Sequence, residues 1–109
     1  MGLIKPYDTG GSMSVLVTLE MPTKPETLDE FLDLMKVALV DTRNYAGCEK
    51  VETYVDQETK SIFLVEQWES AEHQQAYMGW RVETGFIDKV GPFLAGAPVA
   101  RTFDIKENV

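Results

Sequence analysis

Glu66, Trp68, Tyr77 and Arg81 are the side chains of this sequence whose types and spacing best suit chemistry. Glu66 and Trp68 are two apart in an alternating run, so they share one face of a strand. Tyr77 and Arg81 are four apart in a helical stretch, so they share one face of a helix. A carboxylate on a covered strand face has a raised pKa and can act as a base. A phenol can donate to a substrate oxygen, and a guanidinium can stabilise an enolate or phenolate. Tyr54, His73 and Trp80 complete the set as candidate binding residues. His73 is the only histidine, the side chain that titrates nearest neutrality. Each residue also has an ordinary reading: Trp68 as a core or interface aromatic, Tyr77 and Arg81 as a solvent-facing pair, His73 as an exposed first-turn residue. For Glu66 the ordinary reading is an ion pair with Arg81 or Arg101.

Other chemistries lack their residues. One histidine cannot form a two-histidine metal site, and no HExxH spacing is present. No GxGxxG or Walker pattern points to a nucleotide, and no G-x-S-x-G elbow points to a serine hydrolase. The single cysteine, Cys48, has no obvious activating neighbour and reads as a small buried residue. These features favour an enzyme without metal or cofactor, or a protein without catalysis.

The elements that must carry these residues fit one domain of 109 residues. The net charge of -8, from 18 acidic and 10 basic residues, disfavours nucleic acid and anionic membrane surfaces as partners. One cysteine makes no internal disulfide, which suits a reducing, cytoplasmic setting. No run approaches a membrane span in length. Residues 1–12, with Pro6, Gly10 and Gly11, read as a flexible extension, and residues 13–109 as the domain.

Within the domain, Ser14–Glu20 is a strand pattern ended by Pro22. Thr23-Lys24-Pro25-Glu26 has the form of a capping box. Leu28, Phe31, Leu32, Met35, Ala38 and Leu39 then recur at helical spacing. Cys48–Asp56 and Ser61–Glu69 alternate as strands across a hairpin-length connection. Ser70 is a good N-cap for a second helix, which Gly79 and Gly85 should bend or split before Val90. Val99–Lys106 is a last strand. The order βαββαβ generates an α+β ferredoxin-like sandwich, an antiparallel sheet with both helices on one face. The other face, with Phe63 and Val65, would be bare in a monomer, so a face-to-face homodimer is expected.

Two stretches carry a family resemblance. Phe63-Leu64-Val65-Glu66-Gln67-Trp68-Glu69-Ser70 resembles the strand-to-helix junction of the antibiotic biosynthesis monooxygenase family, within the dimeric α+β barrel group. Asn44-Tyr45-Ala46-Gly47-Cys48 is similar to that family's approach to its second strand. The resemblance covers about Met13 to Lys106. It implies a cofactor-independent monooxygenase acting on a hydroquinone, anthrone or similar electron-rich aromatic, with Trp68 lining the cavity. Two departures narrow it. Tyr77 stands where many quinol-type members carry a helix histidine, and His73 lies one turn earlier. The first strand, Ser14-Val15-Leu16-Val17-Thr18-Leu19-Glu20, lacks the asparagine of haem-degrading members. A non-oxygenase acid–base enzyme of cyclase or isomerase type, and a non-catalytic ligand-binding dimer, remain as alternatives.

Overall fold

The computed structural model describes residues 14–109. The reading of residues 1–12 as an extension, and of Met13 as the first residue of the domain, lies outside these residues. Strand β1 (Val15–Met21) leads through a 3-10 turn (Pro25–Thr27) into helix α1 (Leu28–Asn44). Strands β2 (Cys48–Val55) and β3 (Ile62–Trp68) follow, then helix α2 (Ala71–Glu83), short helix α3 (Phe86–Val90) and strand β4 (Val99–Asp104). The sheet order is β2-β3-β1-β4, with β1–β3, β1–β4 and β2–β3 all antiparallel. This is the ferredoxin-like α+β fold, with the strand and helix order that the alternation of sequence patterns predicts.

One local expectation fails and another holds only in part, each for a physical reason. Thr23 is not a helix cap. Its hydroxyl donates to the Met21 carbonyl at 2.7 Å and accepts from Ile62 N–H at 3.2 Å, and its backbone pairs with Leu94. It is committed to the sheet edge, and Lys24 starts the helical turn without a side-chain cap. Gly79 does not break the second helix, which runs unbroken to Glu83. The break comes at Gly85, whose φ of +77° reverses the chain between α2 and α3.

The alternation of β3 sorts its side chains cleanly. Ile62, Leu64, Glu66 and Trp68 are buried under the helices, while Phe63, Val65 and Gln67 are half-buried on the outer face. The main core joins Phe31, Met35 and Leu39 of α1 to Met21, Val51, Ile62 and Leu64 of the sheet and to Val90 of α3. A second cluster joins Val15, Val17, Trp68 and Tyr77, with Tyr45 and Trp80 packed against it. Every residue of β4 is exposed, so neither of its faces is covered by the other described residues.

Candidate functional site

Glu66, Trp68, Tyr77 and Arg81 converge between the sheet and α2. Their residual exposures are 5%, 0%, 6% and 6%, so Tyr77 and Arg81 are not the solvent-facing pair of the ordinary reading. Glu66 faces the helices because β3 alternates, and it lies in register with Val17 on one side and Val51 on the other. Trp68 Nε1 donates to Glu66 Oε1 at 2.8 Å. Burial pushes the Glu66 carboxyl above its usual range, while the indole hydrogen bond and the Arg81 charge pull the other way. Glu66 forms no ion pair with Arg81 or Arg101 among the described residues. Arg101 is on the outer face, in register with Thr18.

Arg81 is held by three acceptors. Its Nε donates to Tyr77 Oη at 2.7 Å, and its Nη2 donates to the Ala38 carbonyl at 2.7 Å and to Thr42 Oγ1 at 3.1 Å. The guanidinium carbon also lies 4.3 Å from the Phe86 ring centroid, 4.8 Å from Trp80 and 5.2 Å from Tyr77. Aromatic faces and neutral oxygens thus surround the buried charge. The Tyr77 and Thr42 hydroxyls are 2.6 Å apart. A guanidinium only donates, so both oxygens are acceptors toward it, and one hydroxyl proton lies between them. With Tyr77 as the donor of that pair, its proton points into α1. Burial raises the Tyr77 phenol above its ordinary pKa, against the contacts with Thr42 and Arg81.

A cavity of about 100 Å³ opens beside this group. Its polar lining is Glu66, Tyr77 and Arg81, and the rest is mostly apolar, with Met35 and Leu39 from α1, Leu64 from β3 and Ile87 from α3. Trp68 does not line it. It lies behind Glu66, in an aromatic cluster with Tyr77 at 5.1 Å and Tyr45 at 6.5 Å between ring centroids. Trp80 covers the guanidinium and the Tyr45 ring from outside, without lining the cavity.

Tyr54 and His73 lie elsewhere. Tyr54 is 51% exposed on the outer sheet face, in register with Phe63, and its hydroxyl donates to Glu52 at 2.8 Å. His73 sits at the start of α2, where its Nδ1 meets the Ser70 hydroxyl at 2.7 Å and its backbone N–H bonds the same cap oxygen at 3.2 Å. Its ring lies against Gly47, whose φ is +90°. Cys48 is half-buried, and burial together with the Glu66 charge pushes its thiol up, away from nucleophilic use.

The residues around the site that the sequence reading did not single out as candidates are Thr42, Tyr45 and Phe86. Thr42 continues the stripe of Met35, Ala38 and Leu39 by one more step, a signal that periodicity carries. Tyr45 lies in the loop before β2, and Phe86 follows the Gly85 turn, so neither has a periodic neighbour. Among the described residues, no three His, Cys, Asp or Glu side chains are grouped to hold a metal ion. No helix of the described residues is long and apolar enough to cross a membrane.

Comparisons with known proteins bear on this arrangement. A search of curated proteins finds no significant match. Among solved structures, a conserved protein from Methanosarcina mazei Go1 superposes with a TM-score of 0.79 at 17% identity, covering 89% of this chain and 97% of that one. Rv0793 from Mycobacterium tuberculosis gives 0.75 at 18% identity, covering 88% and 99%. A monooxygenase from the gene ActVA-Orf6 of Streptomyces coelicolor, in complex with nanaomycin D, gives 0.73 at 16% identity, covering 90% and 92%. At such identities the likeness is one of fold. The family model described as antibiotic biosynthesis monooxygenase matches residues 14–81, and so spans the sheet strands β1 to β3, α1 and α2 as far as Arg81, the elements that carry Glu66, Trp68, Tyr77 and Arg81. The chain therefore belongs to the antibiotic biosynthesis monooxygenase family.

Proposed function

We propose that the chain is a cofactor-independent monooxygenase of an electron-rich aromatic, a hydroquinone, anthrone or similar compound. The observation that carries this reading is the pairing of a buried carboxyl, Glu66, with a buried guanidinium, Arg81, on the wall of one otherwise apolar cavity. Dioxygen accepts electrons readily from a phenolate, so the protein need only make and hold the anion. Glu66 takes the phenolic proton, aided by its raised pKa. Arg81 stabilises the resulting oxyanion. Trp68 and Tyr77 are positioning residues: one fixes Glu66, the other fixes Arg81.

For a hydroquinone the balance is complete with dioxygen as the co-reactant. The phenolate passes electrons to dioxygen, a ring carbon–oxygen bond forms, and the oxygen–oxygen bond then breaks. One oxygen stays on the ring as a hydroxyquinone and the other leaves as water. The substrate loses four electrons and two hydrogens, the hydrogens leave in the water, and dioxygen gains the four electrons. Mass analysis of product formed under isotopically labelled dioxygen tests this directly. One labelled oxygen per product supports the reading, and unlabelled product overturns it.

The Glu66–Arg81 pair also suits proton transfer without oxygen, as in a cyclase or isomerase. Product formed at an undiminished rate under argon would favour that second reading.

A homodimer belongs to the same proposal. The outer sheet face carries Phe63 and Val65 at its centre, with Phe103 and Val99 exposed on β4 and Tyr54 on β2. A second copy laid on this face would cover apolar surface that a domain of this size otherwise leaves in water.

A further inference from the structure

We infer that the site accepts a single aromatic ring and rejects fused ring systems. This rests on the reading of the cavity as the substrate site and narrows it by size, selecting the hydroquinone over the fused-ring anthrone. The cavity measures about 100 Å³. An apolar protein cavity of about 150 Å³ takes one benzene molecule, and drug-sized ligands need about 300 Å³ or more. One ring therefore fills the space with small adjustments of its walls, whereas two or three fused rings must displace them.

The walls oppose such displacement on two sides. Met21 and Leu64 on the sheet side and Met35 and Leu39 on the α1 side are all under 5% exposed and belong to the main core. Protein interiors are packed too tightly for these to retreat without loss of contacts. The third side, α3, is the one that yields. It is five residues long, follows the left-handed Gly85 turn, and brings to the wall Ile87, which is 50% exposed. Ile87 and Met35 are thus the residues that set the size limit, Ile87 at the open side and Met35 at the closed one. A ring fits the polar wall as well. Arg81 Nη1 has no hydrogen-bond acceptor among the described residues, and Glu66 Oε2 receives no donor there, which leaves one donor and one acceptor for a hydroxylated ring.

Calorimetric titration under argon separates this inference from the oxygenase reading, because it measures binding without turnover. The probes are hydroquinone, 1,4-dihydroxynaphthalene and anthrone, each against wild type, Ile87→Ala and Met35→Ala. The inference expects hydroquinone to bind wild type at least about tenfold more tightly than either fused compound, a gap of about 1.4 kcal/mol. It expects either variant to narrow that gap by gaining affinity for dihydroxynaphthalene. Ile87 is half-exposed, so its truncation keeps the test valid should Met35→Ala fail to fold. Equal or tighter binding of a fused compound by wild type overturns the size limit and leaves the oxygenase reading standing. No binding of hydroquinone at millimolar concentration overturns the inference as well. Hydroquinone that binds under argon but is not oxygenated on admitting air contradicts the oxygenase reading alone.

Discussion

Glu66 is the residue whose protonation connects stability to activity. Its folded pKa lies above the ordinary carboxyl value of 4.5 because burial disfavours the charged form. The folded state therefore holds this proton more tightly than the unfolded chain does. Stability from this group is full below the unfolded pKa, falls as pH rises toward the folded pKa, and is level beyond it. Glu66→Gln removes that dependence while its amide oxygen still accepts from Trp68. Urea unfolding should show the variant gaining stability relative to wild type as pH rises above the ordinary carboxyl value, and a wild type–variant difference that stays flat or runs the other way contradicts the assignment. The same variant should lose roughly 10²–10⁴-fold in turnover, the usual share of a general base. Trp68→Phe removes the hydrogen bond that lowers the Glu66 pKa, so the acid limb of the pH–rate profile should move to higher pH. A merely structural tryptophan would leave that limb in place. Around Arg81, Tyr77→Phe and Thr42→Val each strand a buried partner and should cost about 1–3 kcal/mol in unfolding experiments. The double variant should cost less than the sum, because both remove the same 2.6 Å contact.

The elements that hold these residues were readable to different depths. The strand alternation of β3 places Glu66 beside Trp68, and helical spacing places Tyr77 beside Arg81, so the four central residues are visible from two periodicities. The packing of α2 against α1 is not visible in that way. It requires knowing that Arg81 reaches the Ala38 carbonyl, 43 residues away in sequence. Tyr54 follows the strand period correctly, but the period does not say which face the helices cover. Thr23 carries a cap signature and is claimed instead by hydrogen bonds to Met21 and Ile62. Gly47 illustrates a constraint between elements. Its φ of +90° disfavours any side chain, and an added Cβ would meet the inner atoms of the His73 ring. Gly47→Ala should therefore cost about 1–3 kcal/mol from backbone strain plus the clash. In a His73→Ala background the cost should shrink to the backbone part alone. An unchanged cost would show that His73 and Gly47 do not interact.

At the scale of the whole molecule, the acidic chain exposes a sheet face with a partly apolar centre and an edge strand, β4, whose residues are all exposed. The proposed homodimer predicts that light scattering at micromolar concentration gives twice the protomer mass. Val65→Lys, at the middle of that face, should give the protomer mass with the unfolding transition retained. A wild-type protomer at that concentration would remove the dimer. The fold was readable from the order of strand and helix patterns, and the family from two short stretches, one a strand-to-helix junction that combines alternation, an N-cap and an aromatic in few residues. Cavity size was not readable, because it depends on how α3 turns back after Gly85.

The central claim is that the chain's own residues suffice for oxygenation, with Glu66 making the anion that dioxygen oxidises. Oxygen uptake by metal-stripped protein with hydroquinone, compared between wild type and Glu66→Gln, tests it most directly. Wild type should show saturable uptake above the uncatalysed rate, with one dioxygen per hydroxyquinone formed, and the variant a loss of at least about 100-fold. Uptake that vanishes on metal removal, or that Glu66→Gln leaves unchanged, would contradict it.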